Sequence, residues 1–234
     1  MFIMIDGIDG SGKSTIVSAW KKYLTEQGKS IFDLKNFIKE NDRYPESSEF
    51  SGFDFIFSAE PTYTGIGKVL REELINKKNN YSAEAIAQAH SLDRLVLYTK
   101  VLIPLLKEGK TIIQDRGLST SLVYQPVQDS SLTLEAVAIL PGNRLAAQYR
   151  PDHLILMSTQ PEIAFNRLTS RTDKQDEAIF EKIDFLNRSS EKYHEEKYST
   201  FFKNLGTQLH YLSGEEKIDI MNEQSVDLLK AILK

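Results

Sequence analysis

Short apolar runs alternate with longer amphipathic stretches along this chain of 234 residues. Runs that are too short for a helix and are bounded by turn residues are typical of buried strands. Such runs lie at 2–5, 30–34, 53–58, 111–114, 152–157 and 209–212. We therefore predict strands distributed over the whole chain.

Apolar residues spaced three or four apart predict helices between these runs. The helical patterns cover 16–24, 66–74, 82–97, 134–147, 161–171, 180–193 and 226–233. Gly28 is expected to end the first helix and Ser82 to cap a longer one, whose continuation Pro104 should kink. Segment 35–52 is polar and rich in turn residues, which predicts a loop insertion.

The alternation of strands and helices predicts an α/β fold, in which helices cover both faces of a parallel, doubly wound sheet. We expect three layers built around a mainly five-stranded sheet, in a single domain over 1–234. The length is within the range of one α/β unit, and a hydrophobic content of 41% is enough for a sizeable core.

The strongest chemical signal is segment 7–14, Gly-Ile-Asp-Gly-Ser-Gly-Lys-Ser, which matches the phosphate-binding pattern G-x-x-x-x-G-K-[ST]. It lies between the first predicted strand and the first predicted helix. There the glycines let backbone N–H groups point inward, and the helix N-terminus adds its positive dipole end. Lys13 can reach the outer phosphates of a nucleotide, and the Ser14 hydroxyl can ligate a bridging Mg²⁺.

A second candidate site follows the strand at 111–114, which leads into Asp115 and Arg116. Ligands of open parallel sheets bind outside the carboxyl ends of the strands, so we expect Asp115 beside the phosphate loop. An arginine next to it suits an anionic acceptor, because a guanidinium group binds phosphate oxygens bidentately. The base-reading motif N/T-K-x-D of GTPases is not matched by Asn-Lys-Lys-Asn at 76–79. The pattern favours phosphoryl transfer to a substrate that already bears phosphate.

Composition and charge narrow the possible partners. A net charge of −4 and a pI near 5.7 give no basic footprint for nucleic acid. No apolar run approaches the ~20 residues that cross a bilayer, and the first residues read as a core strand and not as a signal peptide. The absence of cysteine excludes disulfides and Cys-ligated metal sites. We expect a soluble cytoplasmic protein with no nucleic-acid or membrane partner.

In the order of its motifs, the chain resembles the thymidylate kinase family of P-loop nucleoside monophosphate kinases over nearly its whole length. Segments 2–15, 60–61, 92–94 and 115–125 are similar to the family's F-I-x-x-E-G-x-D-G-x-G-K-S-T, R-E-P, A-D-R and D-R-Y-x-x-S-S-x-A-Y-Q. Each motif is weak alone, and their ordered combination is specific. The resemblance implies phosphorylation of dTMP to dTDP by ATP with Mg²⁺, a homodimer, and a mobile helical lid at about 167–178.

The resemblance also implies a role for each of several residues. The catalytic residues would be Asp9, Lys13, Arg116 and Arg171. ATP would be bound by Gly7, Asp9, Gly10, Ser11, Gly12, Lys13, Ser14, Thr15, Arg167 and Arg171. The acceptor nucleotide would contact Asp9, Glu60, Pro61, Arg71, His90, Arg94, Arg116, Thr120, Ser121, Tyr124 and Gln125. Mg²⁺ would be held by Ser14 and Asp115.

Four of these residues have structural alternatives. Asp9 would contact the sugar 3′-hydroxyl, or only brace the loop. Arg94 would donate to the thymine carbonyl, while His90, one helical turn earlier, would stack on the base or be a core histidine. Arg116 would hold the acceptor phosphate, its alternative being a salt bridge to Asp115. Tyr124 would be a polar contact or a packing residue.

The lid would supply the catalytic arginine. Some thymidylate kinases carry a basic residue inside the phosphate loop, where this chain has Ser11. Arg167 and Arg171 share one helix face that leads into the polar lid segment, and Arg171 is the predicted catalytic residue. Its alternative is a solvated arginine at a helix end.

Three further departures from the family pattern affect the predicted acceptor. Asp6 replaces a glutamate, Ala59 replaces the arginine of the R-E-P turn, and Gly117 replaces an aromatic residue. The loss at Ala59 would leave Arg71 to cover the phosphate alone. Alternative functions are therefore a kinase for another deoxynucleoside monophosphate or for a deoxynucleoside, and a nucleotide-binding protein without turnover.

Overall fold

The computed structural model describes residues 1–76, 78–170, 180 and 182–234. The strands are β1 (Phe2–Asp6), β2 (Ile31–Asp33), β3 (Phe55–Ala59), β4 (Thr111–Asp115), β5 (His153–Ser158) and β6 (Gln208–Ser213). The α-helices are α1 (Lys13–Glu26), α2 (Leu34–Asn41), α3 (Gly65–Val69), α4 (Ala83–Leu97), α5 (Ile103–Lys107), α6 (Leu118–Gln128), α7 (Leu134–Ala138), α8 (Pro141–Gln148), α9 (Pro161–Thr169), α10 (Ile183–His194), α11 (Glu196–Asn204) and α12 (Ile218–Ile232).

The strands form one parallel sheet in the order β2-β3-β4-β1-β5-β6, which confirms the predicted α/β architecture. Within the described residues the sheet has six strands where we expected mainly five, because β2 and β6 both pair at its edges. Ile5 of β1 is in register with Asp115 of β4 and with Ile155 of β5. The carboxyl ends of the three central strands therefore lie at the same edge of the sheet.

Each face of the sheet has its own hydrophobic core, as a doubly wound fold requires. The β1 side chains alternate between the two faces. Ile3 and Ile5 pack with α1 and α12 on one face, whereas Phe2 and Met4 belong to the core on the other. The indole of Trp20 is fully buried in the first of these cores, where its Nε1 donates to the carbonyl oxygen of Ser225 at 2.9 Å.

The predicted loop insertion at 35–52 is partly wrong, because α2 occupies its first residues. Asp33 caps this helix by accepting a hydrogen bond from the backbone N–H of Asn36, and Leu34 and Ile38 bury one face. A 3₁₀ turn at Ser47–Phe50 follows, and the ring of Phe50 packs 4.7 Å from that of Phe32. The segment is therefore attached to the core of the domain.

The long helix predicted from Ser82 is confirmed as α4, and the Ser82 hydroxyl accepts from the backbone N–H of Ala85. It continues through a π-helical turn at Tyr98–Leu102 into α5, and Pro104 lies in the first turn of α5. Another π-helical turn, at Leu70–Leu74, follows α3. Among the described residues, none of the helices is both long enough and apolar enough to cross a membrane.

Candidate active site

The phosphate-binding segment forms a tight turn between β1 and α1. Gly10 and Gly12 have φ of 80° and 100°, in the left-handed region that favours glycine. A Cβ atom on Gly10 would lie 2.3 Å from the carbonyl oxygen of Ala164 in α9, so the helix approaches the loop too closely for any side chain. Gly12 caps α1, whose first residue is Lys13. The backbone geometry thus accounts for the motif's glycines at 10 and 12.

The Lys13 side chain folds back into this loop and is only 7% exposed. Its Nζ donates to the carbonyl oxygens of Gly7 at 3.0 Å and of Ile8 at 2.7 Å, and lies 3.4 Å from the Ser11 hydroxyl. Burial, together with the charge of Arg116, lowers the pKa of Lys13 to about 8. The ammonium group is therefore still charged at neutral pH and lies where outer phosphates would bind.

Arg116 joins the end of β4 to the phosphate loop. Its Nη2 is 2.5 Å from Oδ1 of Asp9, and its Nη1 contacts Oδ1 of Asp6 at 3.4 Å and the Thr120 hydroxyl at 3.2 Å. Although burial opposes it, the charges of Asp9 and Asp6 hold the pKa of Arg116 above its ordinary value. Within the described residues no ion pair joins Arg116 to Asp115, so the alternative proposed for this arginine is wrong.

Asp6 is the buried centre of a hydrogen-bond network around the loop. It is fully buried and accepts from the hydroxyls of Thr120 at 2.8 Å and of Tyr193 at 3.0 Å, as well as from the Gly7 N–H. Sequence reasoning missed Tyr193, because nothing in the helical pattern of α10 separates it from a packing residue. Asp6, which is shorter than the glutamate of the family pattern, therefore connects β1 with α6 and α10.

Asp115 has a free acceptor at the carboxyl end of β4. Its Oδ1 is buried and has no hydrogen-bond partner among the described residues. An unpartnered carboxylate oxygen close enough to Lys13 to influence its pKa fits a divalent cation. Ser14 lies in the first turn of α1, where it shares a surface groove with Thr15. No group of three or more acidic or histidine residues forms a metal site in the described part of the chain. Nucleotide phosphates and water would complete the coordination of Mg²⁺.

A cavity beside the phosphate loop brings together every residue predicted to contact the acceptor. Its wall contains Asp9, Glu60, Pro61, Arg71, His90, Arg94, Arg116, Thr120, Ser121, Tyr124 and Gln125. Asp115, Ala59 and Gly117 also line it, and sequence reasoning missed four further residues, Lys35, Tyr63, Ile75 and Phe180. Lys35 lies in the segment that we predicted to be a loop, and the other three belong to no recognised motif.

Arg94 is almost completely buried in the cavity wall and forms an ion pair with Glu60. Its Nη2 is 2.7 Å from Oε2 of Glu60 and 3.0 Å from the Ser121 hydroxyl, and its Nη1 donates to Oδ1 of Asn143. Burial raises the pKa of Glu60 to about 7, although Arg94 opposes this. The remaining donor, the Arg94 Nε–H, is buried without a partner among the described residues.

Arg71 is held against the outer part of the same wall. It follows α3 in the π-helical turn, and its Nε donates to the carbonyl oxygens of Pro61 at 2.9 Å and of Thr62 at 3.1 Å. Its guanidinium carbon lies 3.9 Å from the centre of the Tyr63 ring, a cation–π contact. The guanidinium group therefore lies over the Tyr63 ring.

His90 lies one helical turn before Arg94 on α4 and is half-buried. Burial and the positive charges of Arg94, Arg71 and Arg116 lower its pKa to about 3. The imidazole is therefore neutral at physiological pH, a state that permits stacking on a base. Stacking itself stays a prediction.

Two neighbouring residues of α6 close the cavity. The Tyr124 hydroxyl accepts from the Asp9 backbone N–H at 3.1 Å, and its ring packs on Phe180 and Phe185. Tyr124 is thus both a polar contact of the loop and a packing residue. Beside it, Oε1 of Gln125 is buried and has no hydrogen-bond partner among the described residues. Besides Asp115, two cavity-lining residues therefore carry a buried polar atom without a partner among the described residues, a donor on Arg94 and an acceptor on Gln125.

The predicted lid residues fall into two groups. Arg167 of α9 points towards the phosphate loop, with Nη1 3.5 Å from the Gly10 carbonyl oxygen. Arg171 and the rest of segment 171–179 lie outside the described residues. Ser11 is fully buried, and its uncharged hydroxyl gives the loop no cation. The catalytic role of Arg171 stays a prediction.

The comparisons agree with the family that the motifs resemble. The sequence model described as "Thymidylate kinase" matches residues 46–220. A thymidylate kinase of Clostridium novyi (strain NT) is 28% identical over 87% of this chain and 89% of the relative. One of Thermoanaerobacter sp. (strain X514) is 26% identical over 99% and 98%. A protein named probable thymidylate kinase, of Thermococcus onnurineus (strain NA1), is 32% identical over 80% and 79%.

Proposed function

Because this chain belongs to the thymidylate kinase family, we propose that it transfers the γ-phosphoryl group of ATP to dTMP, giving ADP and dTDP. One observation above all supports this. The cavity that gathers the predicted acceptor residues opens onto the phosphate loop at the Arg116–Asp9 pair. A nucleoside monophosphate bound there would place its phosphate next to the outer phosphates of a nucleotide on the loop.

The chain's own residues would position the two phosphate groups for transfer. Lys13 would bind the outer phosphates of ATP, and Arg116 would bind the acceptor phosphate. An oxygen of that phosphate attacks the γ-phosphorus, and the bond from this phosphorus to the β,γ-bridging oxygen breaks, leaving ADP. Arg171 of the lid would stabilise the charge that spreads over the transferred group, as arginines do in related reactions.

Mg²⁺ would be held by the Ser14 hydroxyl and by the unpartnered oxygen of Asp115. When bound, it neutralises charge between the β- and γ-phosphates. Asp9 would bind the sugar hydroxyl while it stays paired with Arg116, which would fix the acceptor relative to the loop.

Two unpartnered polar atoms of residues that line the cavity support thymine as the base. The Arg94 Nε–H is a buried donor and Gln125 Oε1 a buried acceptor. Thymine presents a carbonyl acceptor beside an N3–H donor and would satisfy both. Cytosine presents an amino donor beside an unprotonated ring nitrogen, which reverses the pattern. A buried polar group left unpaired costs enough free energy to reject such an analogue.

A coupled assay of ADP release with dTMP, dUMP, dCMP, dGMP and AMP tests the proposal. We expect kcat/KM for dCMP to be roughly a hundredfold or more below that for dTMP, because two buried polar atoms would be left unpaired. Turnover of dCMP, dGMP or AMP well above that of dTMP would contradict the specificity. ATP and dTMP binding without any ADP release would contradict the activity.

The same proposal includes a single domain, a lid at about 167–178, a homodimer and a cytoplasmic location. Light scattering of the purified protein tests the dimer, which should have about twice the chain mass of 26.7 kDa. A mass near 26.7 kDa at micromolar concentration would contradict it.

A further inference from the structure

The cavity wall contains a lysine that no recognised motif predicts. Lys35 is the second residue of α2 and lines the same cavity as Ala59, Arg71 and Arg116. Ala59 contributes only a methyl group to this wall, at the position where the R-E-P turn of the family has an arginine. Lys35 comes from the segment that we predicted to be a loop.

The guanidinium groups of the cavity already have hydrogen-bond or ionic partners. Arg116 pairs with Asp9, Arg94 pairs with Glu60, and Arg71 donates to backbone carbonyl oxygens. Lys35 differs, because no carboxylate of the described residues lies within 4.0 Å of its ammonium group. Its Nζ lies over the ring of Tyr63, 5.6 Å from the ring centre. A half-buried, uncompensated cation in this wall suits an anionic ligand.

Helix α2 also holds Lys35 in place. The Asp33 carboxylate caps the helix and forms an ion pair of 2.5 Å with Lys21 of α1. Leu34 and Ile38 are buried in the core next to β3. The backbone that carries Lys35 is therefore fixed relative to the cavity.

We propose that Lys35 binds the phosphate of the acceptor nucleotide and supplies the positive charge that the wall lacks at Ala59. This inference rests on the proposed function. It assigns part of the acceptor specificity, the preference for a phosphorylated substrate over the free nucleoside, to α2. Arg71 then shares the phosphate with Lys35.

Lys39 provides a matched control on the same helix. It lies one turn after Lys35, and its ammonium group contacts the same Tyr63 ring at 4.5 Å. It is exposed and is not among the described residues that line the cavity. Removing either lysine takes one positive charge and one Tyr63 contact from α2, and of the two only Lys35 lines the cavity.

Isothermal titration of dTMP and of thymidine into the full-length protein tests the inference. We expect Lys35→Ala to raise the Kd for dTMP about tenfold, the loss of one charge-assisted contact, and to leave the Kd for thymidine within twofold. Lys39→Ala should leave both values within twofold, and Lys35→Arg, which keeps the charge, should bind dTMP within about threefold of the wild type.

Three outcomes would overturn the inference. One is a Kd for dTMP in Lys35→Ala within twofold of the wild type, and another is an equal loss of thymidine binding. The third is an equal effect of Lys39→Ala. The proposed function fails separately, if the wild-type protein binds dTMP and ATP but releases no ADP. Circular dichroism of each variant shows whether it is folded.

Discussion

At the scale of single residues, two ion pairs of the site join charged groups that come from different elements. Arg116 at the end of β4 neutralises Asp9 in the loop, and Arg94 of α4 neutralises Glu60. The motifs predicted these residues as ligand contacts. The motifs could not predict that these residues also pair with one another. The pairing depends on how closely the sheet brings distant segments of the chain together.

Lys13 leads to a prediction about pH. Its pKa is lowered to about 8, so the free enzyme holds a charged Lys13 below this pH and loses the charge as the pH rises through it. We expect kcat/KM for ATP to be level below about pH 8 and to fall about tenfold per unit above, since this parameter reports ionisations of the free enzyme. Initial rates at limiting ATP between pH 6 and 10 measure it.

Lys13→Arg serves as the control for this profile. Arginine stays charged throughout that range, so the variant, although less active, should lose the falling limb. A level wild-type profile up to pH 10, or a limb that persists in the variant, would show that another group is responsible.

At the scale of elements, the helices that sequence could predict are those with one apolar face. The pattern at 82–97 predicted α4 because its apolar residues recur on one face of a helix, which is the buried face. In α6 most residues are buried, which leaves no apolar stripe to detect, and the short α2 has only two buried residues, Leu34 and Ile38. Two of the elements that form the acceptor cavity were therefore invisible to periodicity.

The packing of α8 against α4 positions the side of the cavity that His90 and Arg94 line. A Cβ atom on Gly142 would lie 1.8 Å from the Ser91 carbonyl oxygen, while the Gly142 N–H donates to the Ser91 hydroxyl. We expect Gly142→Ala to lower the free energy of unfolding by about 1–3 kcal/mol and to raise KM for dTMP several-fold, because α4 carries His90 and Arg94.

Urea unfolding and steady-state kinetics measure these two effects. Gln148→Ala, at the exposed end of the same helix, is the control and should change neither quantity appreciably. If the Gly142→Ala protein had the wild-type free energy of unfolding, α8 and α4 could move apart without loss of stability, which would contradict the prediction.

At the scale of the whole molecule, a single sheet joins two cores that share no side chains. Trp20 is the only tryptophan in the chain and lies in the core of α1 and α12, whereas α4 and α6 belong to the other core. Residues of β1 contribute to both cores, so loss of one core should expose the other.

We expect unfolding to be one cooperative transition. Tryptophan fluorescence reports the Trp20 core, and far-UV circular dichroism reports the helices of both cores, so their urea midpoints should coincide. Trp20→Phe should abolish the fluorescence transition and keep the one seen by circular dichroism. Two separate midpoints in the wild type would show that the cores unfold independently and would contradict the single domain.

Arg167 and Phe180 each contact a wall of the site. Nη1 of Arg167 lies 3.5 Å from the Gly10 carbonyl oxygen, and the Phe180 ring packs 5.3 Å from that of Tyr124. Arg167 therefore joins α9 to the phosphate loop, and Phe180 adds to the packing that holds the Tyr124 hydroxyl against the Asp9 backbone N–H.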